Sequence, residues 1–66
     1  MNEIRIRESF DLTVDNYYEV LSKAYELEDK GILEVIESEE HWSDAWIIVE
    51  ATPEAINEIY SFIDSL

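Results

Sequence analysis

The chain has 66 residues, with 17 acids against four basic residues, one histidine and no cysteine, for a formal net charge of −13 at pH 7. A chain this short holds one domain with a small core, and the absence of cysteine excludes disulfide stapling and thiolate chemistry. The charge excludes direct nucleic-acid binding and attraction to an anionic membrane surface, both of which need a basic patch, and it exceeds the roughly 2 to 8 charges that keep a small domain soluble.

High net charge is half the signature of disorder, but the other half is missing. Hydrophobic residues make up 47% of the chain and aromatics 12%, with one glycine and one proline, so there is enough apolar material to bury. The first residues lack the apolar run of a signal peptide, and no run approaches the about 18 apolar residues of a membrane span. The expectation is a soluble, cytoplasmic single domain over residues 1–66.

The first element is a strand over about residues 2–10, because Ile4, Ile6, Phe10 and Leu12 alternate with Glu3, Arg5, Arg7, Ser9 and Asp11. A helix over about 14–30 follows. Thr13 offers a hydroxyl cap, Val14, Tyr17, Tyr18, Leu21, Ala24 and Tyr25 recur at helical spacing, and Gly31 can close the helix in a left-handed conformation. Glu19 with Lys23 and Glu26 with Lys30 are spaced for ion pairs along that helix.

A second strand covers about 32–39, with two phases open: Leu33 and Val35 on one side, Ile32, Glu34 and Ile36 on the other. The polar segment from Glu40 to Asp44 reads as a hairpin connection into a third strand over 45–51. Thr52-Pro53-Glu54 then opens a helix over about 53–65, with Ile56, Ile59, Tyr60, Ile63 and Leu66 as its apolar stripe. The order β-α-β-β-α, with right-handed connections, predicts an α+β two-layer sandwich. Its three-stranded antiparallel sheet has order 1-3-2, with two helices on one face. This arrangement resembles a ferredoxin-like fold lacking its last strand, which leaves an open edge on strand one.

With Ile4 and Ile6 turned toward the helices, Arg5 and Arg7 fall on the uncovered side of the sheet. On strand three, Ala45, Ile47, Val49 and Ala51 fit under the helices, leaving Trp46 and Ile48 beside the arginines. The opposite phase buries Trp46 and exposes Ile47 and Val49. Either way large apolar side chains stay uncovered, and the first phase makes Arg5, Arg7, Trp46 and Ile48 a mixed apolar and cationic interface.

No motif points to an enzyme. His41 has no nucleophile motif beside it, one glycine cannot build a phosphate loop, and Glu37, Glu39, Glu40, His41 and Asp44 lack the spacing of a calcium loop. Neither cofactor nor metal is expected. The acids are distributed along the first helix (Glu19, Glu26, Asp29) and the hairpin (Glu37, Glu39, Glu40, Asp44), where side chains three or four residues apart on a helix lie about 5–6 Å from one another. Size and charge resemble, as a class, the small acidic phage-encoded inhibitors that mimic DNA against restriction or CRISPR enzymes. The resemblance implies a non-enzymatic domain that docks on the basic, nucleic-acid-binding surface of a partner. The alternative is a homo-oligomeric regulatory or ligand-binding module, a homodimer through the open sheet or the strand-one edge.

Overall fold

The computed structural model describes residues 3–66, in the order β1 (Ile6–Leu12), α1 (Val14–Asp29), β2 (Leu33–Glu40), β3 (Ala45–Ala51) and α2 (Pro53–Asp64). The strands form one antiparallel sheet in the order β1-β3-β2, with both helices against one face. This is the α+β, ferredoxin-like arrangement without its last strand. The two helix starts are built as their sequences dictate. The Thr13 hydroxyl accepts the Asn16 N–H at 3.3 Å and the Thr52 hydroxyl accepts the Ala55 N–H at 3.2 Å, with Pro53 in the first turn where its missing N–H costs nothing. Gly31 has φ +80°, and its N–H donates to Glu28 O while the Ile32 N–H reaches Leu27 O, closing α1.

β1 begins later than its alternation suggests. The expected start at Asn2 lies outside the described residues, and Ile4 is 75% exposed rather than turned into the core. The cause is the length of β3. Ile6 pairs with Ala51, and the next residues of the partner, Thr52 and Pro53, turn away into α2, so nothing remains for Ile4 to pair with. At the other end the strand runs on to Leu12, opposite Ala45.

β2 carries a bulge between Val35 and Glu37, opposite Ile48. Before it, Leu33 and Val35 face the helices. After it the parity reverses, so Ser38 faces inward opposite Ile47 while Glu37 and Glu39 lie on the open side with Ile48 and Trp46. A strand that changes phase midway has no single alternation to read, which is why both phases were open from the sequence. The Glu28 carboxylate accepts the Val35 N–H at 2.9 Å and ties the last turn of α1 to the strand beside this bulge.

The core is a closed set: Phe10 and Leu12 from β1, Tyr17, Val20, Ala24 and Leu27 from α1, Leu33 from β2, Ala45, Ile47, Val49 and Ala51 from β3, and Ala55, Ile56 and Ile59 from α2. The apolar stripe of α1 is therefore Tyr17–Val20–Ala24–Leu27, spaced three, four and three. Tyr18 and Tyr25, expected in it, are exposed, as are Tyr60 on α2 and Leu66 just beyond its end. Aromatic residues beside the stripe hid its true phase. Lys23 also departs from expectation: it pairs with Glu26 at 2.9 Å and across the helix layer with Glu58 of α2 at 3.0 Å. Neither Glu19–Lys23 nor Glu26–Lys30 is among the ion pairs of the described residues. A lysine already drawn between two carboxylates that join the helices gains little from a third on its own helix.

Leu27 is fully buried and Tyr25 is not. Leu27→Ala is expected to cost about 2–5 kcal/mol, most of what a core this small can supply, whereas Tyr25→Ser should shift the unfolding midpoint by under about 0.5 kcal/mol. Urea unfolding followed by circular dichroism checks both.

Candidate docking surface

The strict alternation of β3 decides which side chains line the uncovered face. Ala45, Ile47, Val49 and Ala51 are at most 3% exposed, so Trp46, Ile48 and Glu50 must point the other way, and all three are half-buried. Residues directly opposite on neighbouring strands share a face, and the registers set three rows across the sheet. They run Arg7–Glu50–Glu34, then Ser9–Ile48–Glu37, then Asp11–Trp46–Glu39, with Ile36 in the bulge beside the middle row. Trp46 and Ile48 form an apolar spine, flanked by the acidic column Glu34, Glu37 and Glu39 on β2 and by the mixed column Arg7, Ser9 and Asp11 on β1.

The expected cationic patch is therefore an acidic one. Asp11, Glu34, Glu37, Glu39 and Glu50 stand against Arg7 alone. Arg7 is itself held by Glu50, its Nε donating to Oε2 at 3.0 Å. Arg5 lies before the start of β1, where Nη2 donates to Glu3 at 2.9 Å and to the Gly31 carbonyl at 2.6 Å. Both guanidiniums already have partners. Trp46 and Ile48 lie on the open face, the first of the two phases open from the sequence.

The seven acids singled out in the sequence do not share one surface. Glu37 and Glu39 lie on the open face. Glu40 lies on the helix side, where the Tyr18 hydroxyl donates to it at 2.8 Å. Asp44 belongs to the hairpin turn, its carbonyl accepting the His41 N–H at 2.7 Å. Glu19, Glu26 and Asp29 project from α1, and Glu26 is paired with Lys23. Asp11, Glu34 and Glu50 also belong to the open face, although none of them is among the acids singled out in the sequence. Asp11 was legible from its odd position in β1 and Glu50 from its alternation with Trp46 and Ile48 on β3; Glu34, on a strand with two open phases, needed the cross-strand register.

The hairpin adds aromatic surface at one end. His41 stacks on Trp46, with centroids 5.1 Å apart and planes at 28°, and its Nε2 lies 3.4 Å from Glu39. Trp42 at the tip is wholly exposed. Among the described residues no pocket forms, and no group of three or more histidine, cysteine or acidic side chains is placed to hold a metal. No helix of the described residues is long and apolar enough to cross a membrane. Comparison of the chain with protein-family models, with curated proteins and with solved structures finds no match.

Two tyrosines anchor acids on the other face. The Tyr60 hydroxyl donates to Glu8, and its ring meets Phe10 edge-on at 4.9 Å. The hydrogen bonds to Glu8 and to Glu40 raise the pKa of Tyr60 and Tyr18 above the usual 10.0, with the negative charge of each acid adding to the effect. A raised folded pKa means the stabilisation is complete below about pH 10 and is lost as pH climbs through the raised value. Lys23, whose pKa is raised by hydrogen bonds to Glu26 and Glu58, acts in the same direction. The protein should therefore lose stability on the alkaline side, and Tyr60→Phe and Tyr18→Phe should each remove one late-titrating phenol from an ultraviolet absorbance titration.

Glu34 and Glu50 sit directly opposite one another on neighbouring strands, an arrangement of like charges that destabilises a sheet. Glu34→Lys is expected to raise folding stability by about 0.5 kcal/mol, read as a higher urea midpoint with an unchanged slope.

Proposed function

We propose that this protein is a non-enzymatic acidic docking domain whose open sheet face meets a basic surface on a partner. The observation that carries the proposal is the row arrangement: a spine of Trp46 and Ile48 bordered by Asp11 on one side and by Glu34, Glu37 and Glu39 on the other. An apolar centre within a charged rim is the general anatomy of a protein interface. Here the centre holds a tryptophan, a residue type that dominates binding energy when a partner covers it. The rim attracts lysine and arginine, speeding encounter and excluding acidic competitors.

The opposed pair Glu34–Glu50 supports the same reading. Arg7 offsets Glu50 in that row and leaves the charge of Glu34 in excess, and since solubility does not require a carboxylate opposite another across a ladder, Glu34 is better accounted for by what it binds. On strands, acids at alternate positions such as Glu37 and Glu39 stand about 6.6 Å apart, and adjacent columns are separated by about 4.8 Å. A grid of negative charge on that scale suits a channel made for the phosphates of a nucleic acid. The partner class proposed is therefore a nucleic-acid-binding protein, with this domain occupying its binding surface as a DNA-mimic inhibitor of the phage anti-restriction or anti-CRISPR kind.

The test is retention of host proteins on the immobilised domain at graded salt, with duplex DNA as competitor. The expected partner elutes as NaCl rises from about 0.05 to about 0.5 M, where screening shortens to a few ångströms, and is displaced by duplex DNA. Glu37→Lys with Glu39→Lys, or Trp46→Ala, should abolish its retention, and Glu19→Lys with Asp29→Lys on α1 should leave most of it. Retention that ignores both salt and DNA, or that depends on α1 instead of the sheet, would overturn the proposal.

A further inference from the structure

β1 is bonded to β3 along one side only, and no described element covers its other edge. Which backbone groups that edge presents follows from a single hydrogen bond. The Val35 N–H points away from β3 to the Glu28 carboxylate, so Val35 and Val49 are a pair without ladder bonds between them. Antiparallel ladders alternate, and a central strand turns alternate residues to its two neighbours. Val49 therefore bonds to β1 opposite Glu8, and the even residues of β1 face β3. The N–H and C=O groups of Arg7, Ser9 and Asp11 point to the open edge.

The order of those three residues is self-complementary. A second β1 laid antiparallel with Ser9 opposite Ser9 puts each Arg7 opposite the other copy's Asp11, both on the open face of the sheet. All seven residues of the strand are then paired, and Ile6 meets Leu12 on the helix side. Sliding the register by two in one direction puts Glu8 opposite Glu8. Sliding it in the other places Arg7 beyond the paired segment and removes both ion pairs. A charge pattern that selects one register in this way is what an isologous two-fold contact requires.

The helix layer leaves room for this contact. α1 lies mainly over β2, and α2 reaches β1 through Tyr60 on Glu8 and Phe10, yet at the β1 edge Ile6 stays 42% and Tyr60 45% exposed. Ile6 would then pack on Leu12 of the second copy, and Tyr60, bonded to Glu8 next to the axis, lies beside the same seam. Arg7 can serve both Glu50 and the new Asp11, since its side chain is still 62% exposed and a guanidinium has donors in excess of one carboxylate.

We propose that the occupant of the β1 edge is a second copy of this chain, joined through a two-fold axis at Ser9 into a continuous sheet β2-β3-β1-β1-β3-β2. Two copies of charge −13 repel at long range, and salt screens that repulsion over about 8 Å at physiological strength. Self-association should therefore tighten with salt, opposite in sign to the docking proposed above, so failure of one idea is distinguishable from failure of the other.

Sedimentation equilibrium of the full chain should show dimer tightening at least about tenfold between about 0.03 and 0.3 M NaCl. R7D and D11R should each weaken it at 0.3 M by about tenfold or more, and the R7D/D11R double variant should regain most of the loss, although it still lacks the native pair with Glu50. The chain has no cysteine, so S9C gives an unambiguous second measurement. Hydrogen-bonded antiparallel pairs hold Cα atoms about 5.5 Å apart, inside the range a disulfide spans. Mild oxidation should link S9C into dimers and leave N57C on α2 monomeric. A monomer at about 1 mM in 0.3 M NaCl, a double variant that folds without regaining association, or S9C that links no faster than N57C would overturn the proposal.

Discussion

Among the described residues β3 is the one strand bonded on both sides, and its alternation is the constraint on which the remainder depends. Small side chains at both ends, Ala45 and Ala51, and branched ones between, Ile47 and Val49, let two helices settle on one face with almost no exposure beneath them. That choice leaves Trp46, Ile48 and Glu50 no option but the opposite face. It also sets the length of β1, because pairing stops where β3 gives way to the Thr52 cap and Pro53. The same residues that close the core thus determine both the open face and the paired length of the free edge.

Much of this was legible in the sequence because each local signal agreed with its neighbours. Thr13, Gly31 and Thr52-Pro53 mark helix ends by chemistry that does not depend on the rest of the fold, and all three act where they were expected. The element order and the 1-3-2 sheet follow from those marks together with connection rules. What was not legible depended on contacts between distant segments. Ile4 alternates correctly yet lies beyond the reach of β3. Val20 and Leu27 were obscured as core by Tyr18 and Tyr25, since a helix stripe one residue out of phase looks equally apolar on paper. The bulge at Ile36 reversed the parity of β2, and only the register shows Glu37 and Glu39 on the same face as Trp46.

The surplus charge takes on a different meaning once placed. Alternation and spacing along the chain suggested an acidic side and an opposite side carrying the arginines. In the fold the arginines are taken up by Glu3, Gly31 and Glu50, and acids line both layers. Apart from Glu28, which holds the Val35 N–H, the acids on α1 and α2 project into water, where repulsion is weakest and solubility is served. Those on the sheet stand around large apolar side chains, with Glu34 and Glu50 face to face across a ladder. Burial of the spine by a partner would desolvate that rim and strengthen its attraction for cations, whereas an isolated acidic helix face gains no such amplification.

Arg7 and Asp11 connect the two proposals physically. Each lies on the open face and on the free-edge strand, so a contact at the edge changes the face as well. Pairing β1 with a second β1 would set each Asp11 against an Arg7 and remove those carboxylates from the rim nearest the axis. Glu34, Glu37 and Glu39 would remain on the outer strands, far from the seam. The surface so formed has a neutralised centre with two apolar spines and two acidic margins, and its width is twice that of one sheet. A basic groove that accepted one copy along its length would then meet acids on both walls. A self-association strengthened by salt and a docking weakened by it would leave an intermediate ionic strength at which both contacts form.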